Sequence, residues 1–268
     1  MKQTFSSIHP IAYSISVNLR QIVRYLKWSV EKHKFAKEIS SDKLNYRVYK
    51  HQSVLIRKLG EVDMVLQYNK VENLKLAVGK LNGILIHPGE TFSFCFLVGK
   101  PTKRKGYKEG MQLSHGEAIS GIGGGICQIA NLIHWLCLHS PLTVTERHHH
   151  SFDPFPDSGR VVPFGSGASV FYNYQDYQFK NETDRTFQLL FWFDKKCING
   201  DLRVDEELPY KYHVFEKNHH FYQKDGVYYR KNELWRRKYL KEGSSAEICT
   251  ELIQRNDSLV KYKPPECI

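Results

Sequence analysis

The sequence predicts an α+β protein with N-terminal helices, a central mixed or antiparallel sheet around a buried helix that starts near Cys127, and a C-terminal β-meander. Apolar residues recur at three- and four-residue intervals near positions 15, 75 and 130, which is typical of helices. The second half is instead rich in short apolar and aromatic segments separated by turn residues, which is typical of strands. At 268 residues, 41% of them hydrophobic, the chain can bury a large core.

The first predicted helix, residues 11–37, is amphipathic and basic. Residues 1–60 hold twelve Lys and Arg against three Asp and Glu, so most of the net charge of +11 lies here. The apolar positions with helical spacing are Ile15, Leu19, Ile22, Val23, Leu26 and Val30. We expect this face to pack on the core with the basic side in solvent. The alternative is peripheral contact of residues 11–37 with an anionic membrane.

The charge distribution and the targeting signals limit the classes of partner and the cellular compartment that we expect. No base-reading motif accompanies the basic residues, so we expect no nucleic acid partner. Residues 1–19 lack the apolar core and cleavage site of a secretory signal, and no apolar run reaches the roughly twenty residues of a membrane span. We therefore expect a cytoplasmic protein, peripheral at the inner face of the membrane if the first helix binds lipid. Its six cysteines form no CxxC pair and should be reduced thiols.

The central part of the chain is predicted to alternate between strands and two helices. One helix covers residues 71–81 and would end at Asn82 and Gly83. The other is buried and runs from about Cys127 to the residues before Ser140 and Pro141. The strands predicted in this part are residues 53–57, 84–86, 91–98, 142–146, 168–179 and 186–193.

The C-terminal part is predicted to be a β-meander. Its four short aromatic-rich strands are residues 210–215, 219–223, 227–230 and 234–239, separated by turn residues such as those at 224–226. The chain is therefore divided into a basic N-terminal helical region (1–60), a core domain (61–200) and a β-rich C-terminal subdomain (201–268).

The glycine-rich segment before Cys127 is the first candidate for chemistry. The first turn of a helix stabilises a thiolate through its free amides and dipole, so Cys127 is a candidate nucleophile. Backbone N–H groups around Gly124 and Gly125, together with Gln128, could hold a developing oxyanion. The segment is also compatible with a tight turn that feeds a packed helix, in which Cys127 is structural.

The second ingredient of a cysteine enzyme is a base. His148 and His150 are two residues apart on a strand-like segment and should point the same way, so either could take the thiol proton. Asp176, on the next predicted strand, is the candidate that orients this histidine.

Two other kinds of site remain open beside the cysteine enzyme. Arg147 and Ser151 flank the histidines and are further candidate ligand residues, and the glycine-rich helix start alone could hold an anionic group such as a peptide carboxylate or phosphate. A zinc site built from Cys127, His148 and His150 fits the ligand types but no standard spacing. We predict no metal and no cofactor.

Several segments together resemble the VanW family over about residues 70–195. The most specific are Gly123-Gly-Gly-Ile-Cys-Gln128 and Glu146-Arg-His-His-His-Ser151, in this order. Others are Asn73-Leu-Lys-Leu-Ala77, Pro88-Gly-Glu-Thr-Phe-Ser93, Gly106-Tyr107, Ala168-Ser-Val170 and the segment from Asp176 to Thr183. Longer family members usually carry Ser-Thr-Thr after the Cys-Gln pair, where this chain has Ile129-Ala-Asn131. The resemblance implies a link to glycopeptide resistance or cell-wall precursor metabolism and a small-molecule or peptide ligand.

Overall fold

The computed structural model describes residues 10–57, 63–114, 117–149, 152–153, 156–157, 160–241 and 246–264, and their side chains except at 10–14, 113–114 and 117–118. The fold is α+β, as predicted. Its helices are α1 (Pro10–Glu31), α2 (Met64–Leu81), α3 (Phe94–Val98) and α4 (Cys127–Leu138). Its strands are β1 (Tyr46–Val54), β2 (Ile84–Ile86), β3 (Thr91–Ser93), β4 (Glu109–Ser114), β5 (Glu117–Ile122), β6 (Thr143–Glu146), β7 (Phe152–Asp153), β8 (Gln178–Lys180), β9 (Phe187–Phe193), β10 (Cys197–Val204), β11 (Tyr210–Lys224), β12 (Val227–Leu240) and β13 (Glu247–Val260).

The central sheet has the strand order β1-β10-β9-β2 and is antiparallel throughout. Helix α4 packs on it closely, since a Cβ added to Gly200 of β10 would lie 3.0 Å from Leu136 and 3.1 Å from Leu132. Every residue of α4 from Ile129 to Leu138 except Asn131 is buried. The buried helix predicted from Cys127 is therefore confirmed, and it carries the glycine-rich segment at its N-terminus.

Two smaller sheets flank this core. Strands β3, β8 and β6 form one in the order β3-β8-β6, and β4 pairs with β5 to form a hairpin. The hairpin leads directly into the glycine segment. The position of the hairpin relative to α2 therefore determines which residues contact the glycines.

The C-terminal sheet has the order β11-β12-β13-β7. The four short strands predicted for residues 210–239 are wrong in number, because β11 and β12 form one long hairpin through the left-handed pair Asp225 and Gly226. A register shift between Lys217 and His220, where Asn218 has φ 54°, interrupts the sequence alternation inside β11. Such a bulge resembles a strand end in the sequence.

Two predicted strands of the core, residues 91–98 and 168–179, are strands over only part of their length, at Thr91–Ser93 and from Gln178. Residues 94–98 form α3, capped by Ser93, whose Oγ accepts a hydrogen bond from Phe96 N at 3.2 Å. A five-residue apolar run does not distinguish a helix from a strand by its periodicity. Residues 168–177 form bridges and a turn in place of a strand, and regular pairing begins only at Gln178.

Helix α1 packs on the rest of the protein through the face opposite to the one expected. The predicted apolar stripe, Ile15, Leu19, Ile22, Val23, Leu26 and Val30, is exposed at every position. Val17 and Trp28 are buried instead, and the Trp28 ring contacts Phe96 edge-on at 5.4 Å. The expectation that the stripe packs on the core is therefore wrong. No helix in the described part of the chain combines the length and apolar character of a membrane span.

Candidate functional site

The glycine turn, residues 121–126, joins β5 to α4 and lies directly on β4. Gly123 and Gly125 have φ of +77° and +91°, a region that side chains with a Cβ rarely adopt. A Cβ on Gly124 would lie 2.1 Å from the carbonyl oxygen of Gly110. These positions need glycine for the backbone path and for the close approach of two chain segments.

Asn73 of α2 holds the glycine turn in place. Its Nδ2 donates to the carbonyl oxygens of Gly124 and Lys108, each at 3.0 Å, and its Oδ1 accepts from Lys108 N at 2.8 Å. Asn73 is fully buried. A buried asparagine inside a helix is the sequence signal that could have found this role, because such a side chain needs partners.

Cys127 is the first residue of α4, and its thiol is bound to a backbone carbonyl. The Sγ donates to the carbonyl oxygen of Val170 at 3.6 Å, and burial raises the pKa of Cys127 above its ordinary value. Gln128, the predicted oxyanion donor, uses its Nε2 to bind Ser53 Oγ at 2.9 Å and the carbonyl oxygen of Val54 at 2.8 Å. Both side chains therefore tie the helix start to its neighbours.

Asp176 is fully buried and does not orient a described histidine. Its carboxylate accepts hydrogen bonds from Ser93 Oγ at 2.5 Å, Gln178 Nε2 at 2.9 Å, and the amides of Cys95 and Tyr177, each at 2.8 Å. Burial raises the pKa of Asp176, while these hydrogen bonds oppose the rise. Among the described residues, these hydrogen bonds of Asp176 join the start of α3 to β8.

Glu146 is the carboxylate that forms a hydrogen bond with a histidine, His148. Its Oε1 lies 3.0 Å from His148 Nε2, and Arg24 of α1 binds it with two hydrogen bonds of 2.6 and 2.8 Å. The amide of Asp176 also donates to Oε1 at 3.0 Å. Burial alone would raise the pKa of Glu146, but the hydrogen bonds from His148 and Arg24 lower it to about 2. Sequence reasoning missed this pair, although Glu146 opens the histidine block.

Of the other predicted site residues, Arg147 binds backbone carbonyls and Gln254, and two lie outside the described residues. Arg147 donates to the carbonyl oxygens of Gly165 and Gly167 and to Gln254, and burial lowers its pKa to about 10. His150 and Ser151 fall outside the described residues. Within the described residues Cys127 forms no hydrogen bond with His148, and no group of three or more His, Cys, Asp or Glu side chains could hold a metal ion.

A second group of polar side chains, which sequence reasoning missed, lies on the other side of the glycine turn. We call Arg57, Gln67 and Lys70 the Lys70 cluster. Lys70 is 6% exposed, Gln67 is 1% exposed, and Lys70 Nζ donates to Gln67 Oε1 at 2.8 Å. The Lys70 stem packs on the turn, since a Cβ on Gly125 would lie 2.1 Å from Lys70 Cγ.

Within the part of the chain that the structure describes, the Lys70 cluster carries positive charge without an ion-pair partner. Burial, and then the nearby charge of Arg57, lower the pKa of Lys70 to about 8. No carboxylate among the described residues forms an ion pair with Lys70, and Gln67 Nε2 has no hydrogen-bond partner there. The cluster therefore presents a buried ammonium and a spare amide donor next to a helix N-terminus, all of which favour an anion.

Comparison with known proteins agrees with the sequence resemblance. A model of the VanW family, described as "VanW like protein", matches residues 69–203. The chain is 36% identical over 180 residues to "Vancomycin B-type resistance protein VanW" of Enterococcus faecalis (strain ATCC 700802 / V583), covering 67% of this chain and 66% of that one. It is 32% identical over 151 residues to "Uncharacterized protein YoaR" of Bacillus subtilis (strain 168), covering 53% and 48%.

The matched segments thus span just under two thirds and about half of the two relatives. No solved structure matches the chain. The glycine turn, Cys127, the Glu146–His148 pair and Asp176 all lie inside the segment that the family model covers. The chain belongs to the VanW family.

Proposed function

We propose that this chain is an accessory protein of glycopeptide resistance or cell-wall precursor metabolism, and that it binds an anionic group of a small-molecule or peptide ligand at the glycine turn. The Enterococcus faecalis relative, named for B-type vancomycin resistance, supports the biological setting. The five cysteines among the described residues are all free thiols, which supports a cytoplasmic location.

The buried ammonium of Lys70 carries the proposal. A buried charge costs free energy unless a counter-charge and hydrogen bonds compensate for it. Among the described residues, the Lys70 ammonium makes one hydrogen bond, which it donates to Gln67 Oε1, and the neighbouring charge of Arg57 has the same sign. A carboxylate or phosphate would supply the counter-charge and accept from Gln67 Nε2, while the N-terminus of α4 adds a favourable dipole.

A cysteine-dependent hydrolase or acyl transferase is the second candidate. The position of Cys127 at the first residue of α4 favours it. Two observations weigh against it. The raised pKa of the Cys127 thiol disfavours the thiolate nucleophile, and the Gln128 side chain already donates its hydrogen bonds to Ser53 and Val54 of β1. The binding function therefore has the stronger physical support.

Isothermal titration of the full chain near neutral pH tests the binding function. The probes are N-acetyl-dialanine, which has one free carboxylate, its C-terminal amide, and inorganic phosphate. We expect the acid to bind and the amide to bind at least about tenfold more weakly, because only the acid can pair with Lys70. Lys70→Met should weaken binding of the acid by about tenfold or more.

The matched control is Lys75→Met, which removes an exposed lysine from the same helix, one that pairs with Glu72. It should leave the affinity unchanged, as should Cys127→Ala. Equal affinity for the acid and the amide, or equal affinity of the Lys70→Met variant and the unmodified chain, would contradict the proposal. A loss of binding in Cys127→Ala alone would favour the cysteine-dependent candidate.

A further inference from the structure

Helix α1 presents an apolar stripe that nothing in the described structure covers. Its six members are 54% to 77% exposed: Ile15, Leu19, Ile22, Val23, Leu26 and Val30. Single exposed apolar residues are ordinary on a protein surface, but a contiguous group marks an interaction surface.

The stripe is held outward by the opposite face of the same helix. Successive helical residues rotate by about 100°, which gathers the six exposed positions on one side and puts Val17, Arg24 and Trp28 on the other. Arg24 forms its paired hydrogen bonds to Glu146, and Gln21 Nε2 donates to the carbonyl oxygen of Tyr172 at 3.1 Å. These contacts fix the rotation of α1, so the stripe cannot turn inward without breaking them.

Positive charge accompanies the stripe. Arg20 and Lys27 lie at one border of it, and Lys34 follows the helix; Lys27 and Lys34 have side chains 57% and 55% exposed. Glu31 is the acidic residue of this segment, and it pairs with both lysines. A second copy of the chain would bring the same positive charge to the contact, whereas a surface of anionic lipid would oppose it with negative charge.

We propose that α1 lies flat on an anionic membrane surface, with its apolar stripe in the boundary between headgroups and acyl chains and with Arg20 and Lys27 next to lipid phosphates. An amphipathic helix with a basic border binds lipid through buried apolar area and charge together. The pairing of Arg24 with Glu146 then holds the family domain at that surface. This inference rests on α1 and is independent of the anion site proposed at Lys70.

Vesicle co-sedimentation of the full chain tests this arrangement. We expect binding to vesicles with about one third phosphatidylglycerol and much weaker binding to pure phosphatidylcholine. The double variant Leu19→Glu with Leu26→Glu should weaken binding by about tenfold or more, because it places two carboxylates in the stripe. Arg20→Gln with Lys27→Gln should reduce binding to the anionic vesicles only.

The matched control is Val65→Glu, which adds a carboxylate at an exposed apolar position, 55% exposed, near the start of α2. It should bind vesicles as the unmodified chain does. Thermal unfolding of each variant confirms that it is folded. Absence of vesicle binding, or equal binding by the stripe variant, overturns the proposal. The proposal is also overturned if sedimentation velocity shows that the unmodified chain is a dimer, the stripe variant is a monomer, and neither binds vesicles.

Discussion

Lys70 is the residue at which packing and the proposed chemistry are most closely linked. Its stem fills the space that Gly125 leaves, while its ammonium is held away from solvent beside Gln67. Packing of the stem accounts for the position of the side chain. Among the described residues no counter-charge accompanies the ammonium, and the proposed ligand would supply one.

The lowered pKa of Lys70 predicts a pH dependence of carboxylate binding. The folded pKa of about 8 lies below the ordinary value of 10.5, so the cation is lost as the pH rises through about 8. Affinity for N-acetyl-dialanine should be constant between pH 6 and 7 and fall by about tenfold per pH unit above pH 8. Titrations at pH 6, 7, 8 and 9 check this. Constant affinity through pH 9 would show that Lys70 is not the counter-charge.

Cys127 gives a second prediction at the residue scale. Because burial raises its pKa and Cys249 is exposed, iodoacetamide at neutral pH should label Cys249 first and Cys127 at least about tenfold more slowly. Peptide mapping by mass spectrometry follows both sites. In urea the two rates should converge, which controls for intrinsic differences. If Cys127 were labelled first in the folded protein, the cysteine-dependent function would regain its support.

At the scale of elements, Arg24 attaches α1 to the family domain through ion pairs with Glu146 and, at 3.6 Å, with Asp176. Arg24 lies in α1 and Glu146 at the end of β6, and both are largely buried, with side chains 15% and 23% exposed. Partly buried charge-assisted hydrogen bonds are stronger than surface pairs, so this contact is a main determinant of where α1 lies.

The ion pair predicts a pH-dependent stability. The folded pKa of Glu146 is about 2, below its ordinary value of 4.5, so its contribution is present above about pH 4.5 and is lost as the pH falls toward 2. Glu146→Gln should lower the free energy of unfolding by about 2 kcal/mol at pH 7 and by less at pH 3. Urea denaturation at both pH values measures this, with exposed Glu109→Gln as the control. The same loss at both pH values would exclude the charge as its cause.

The elements also show where sequence patterns predict conformation and where they do not. Helices α1, α2 and α4 are long enough for their apolar periodicity to be read, and all three are present. Helix α3 has only five residues, whose apolar run predicts a strand, and the bulge in β11 has the sequence pattern of a strand end. Short or irregular segments lack the repeats on which such predictions depend.

At the scale of the whole molecule, elements before and after the segment matched by the family model both pack on it. Helix α1 covers the side of Glu146 and Asp176, and β11 reaches α4, where Val214 packs with Trp135 and Leu138. The glycine turn lies next to α2, where Asn73 and Lys70 contact it. The two proposed surfaces, the anion site and the apolar stripe, therefore belong to different elements and can be disrupted separately.

The sequence by itself determined the α+β class, the three long helices, the glycine turn at the start of α4 and the membership of the VanW family, because each depends on local pattern or on short motifs. It also predicts a functional region in the glycine and histidine blocks. These features are encoded by residues close together in the chain.

Only the tertiary structure decided which groups meet. Arg24 and Glu146 are 122 positions apart, and Ser93 and Asp176 are 83 apart. The topology that joins them turned the apolar stripe of α1 outward, assigned Glu146 rather than Asp176 to His148, and set the ammonium of Lys70 beside Gly125. Periodicity reports how a segment folds locally, whereas such contacts depend on how distant segments pack, and no local pattern carries that information.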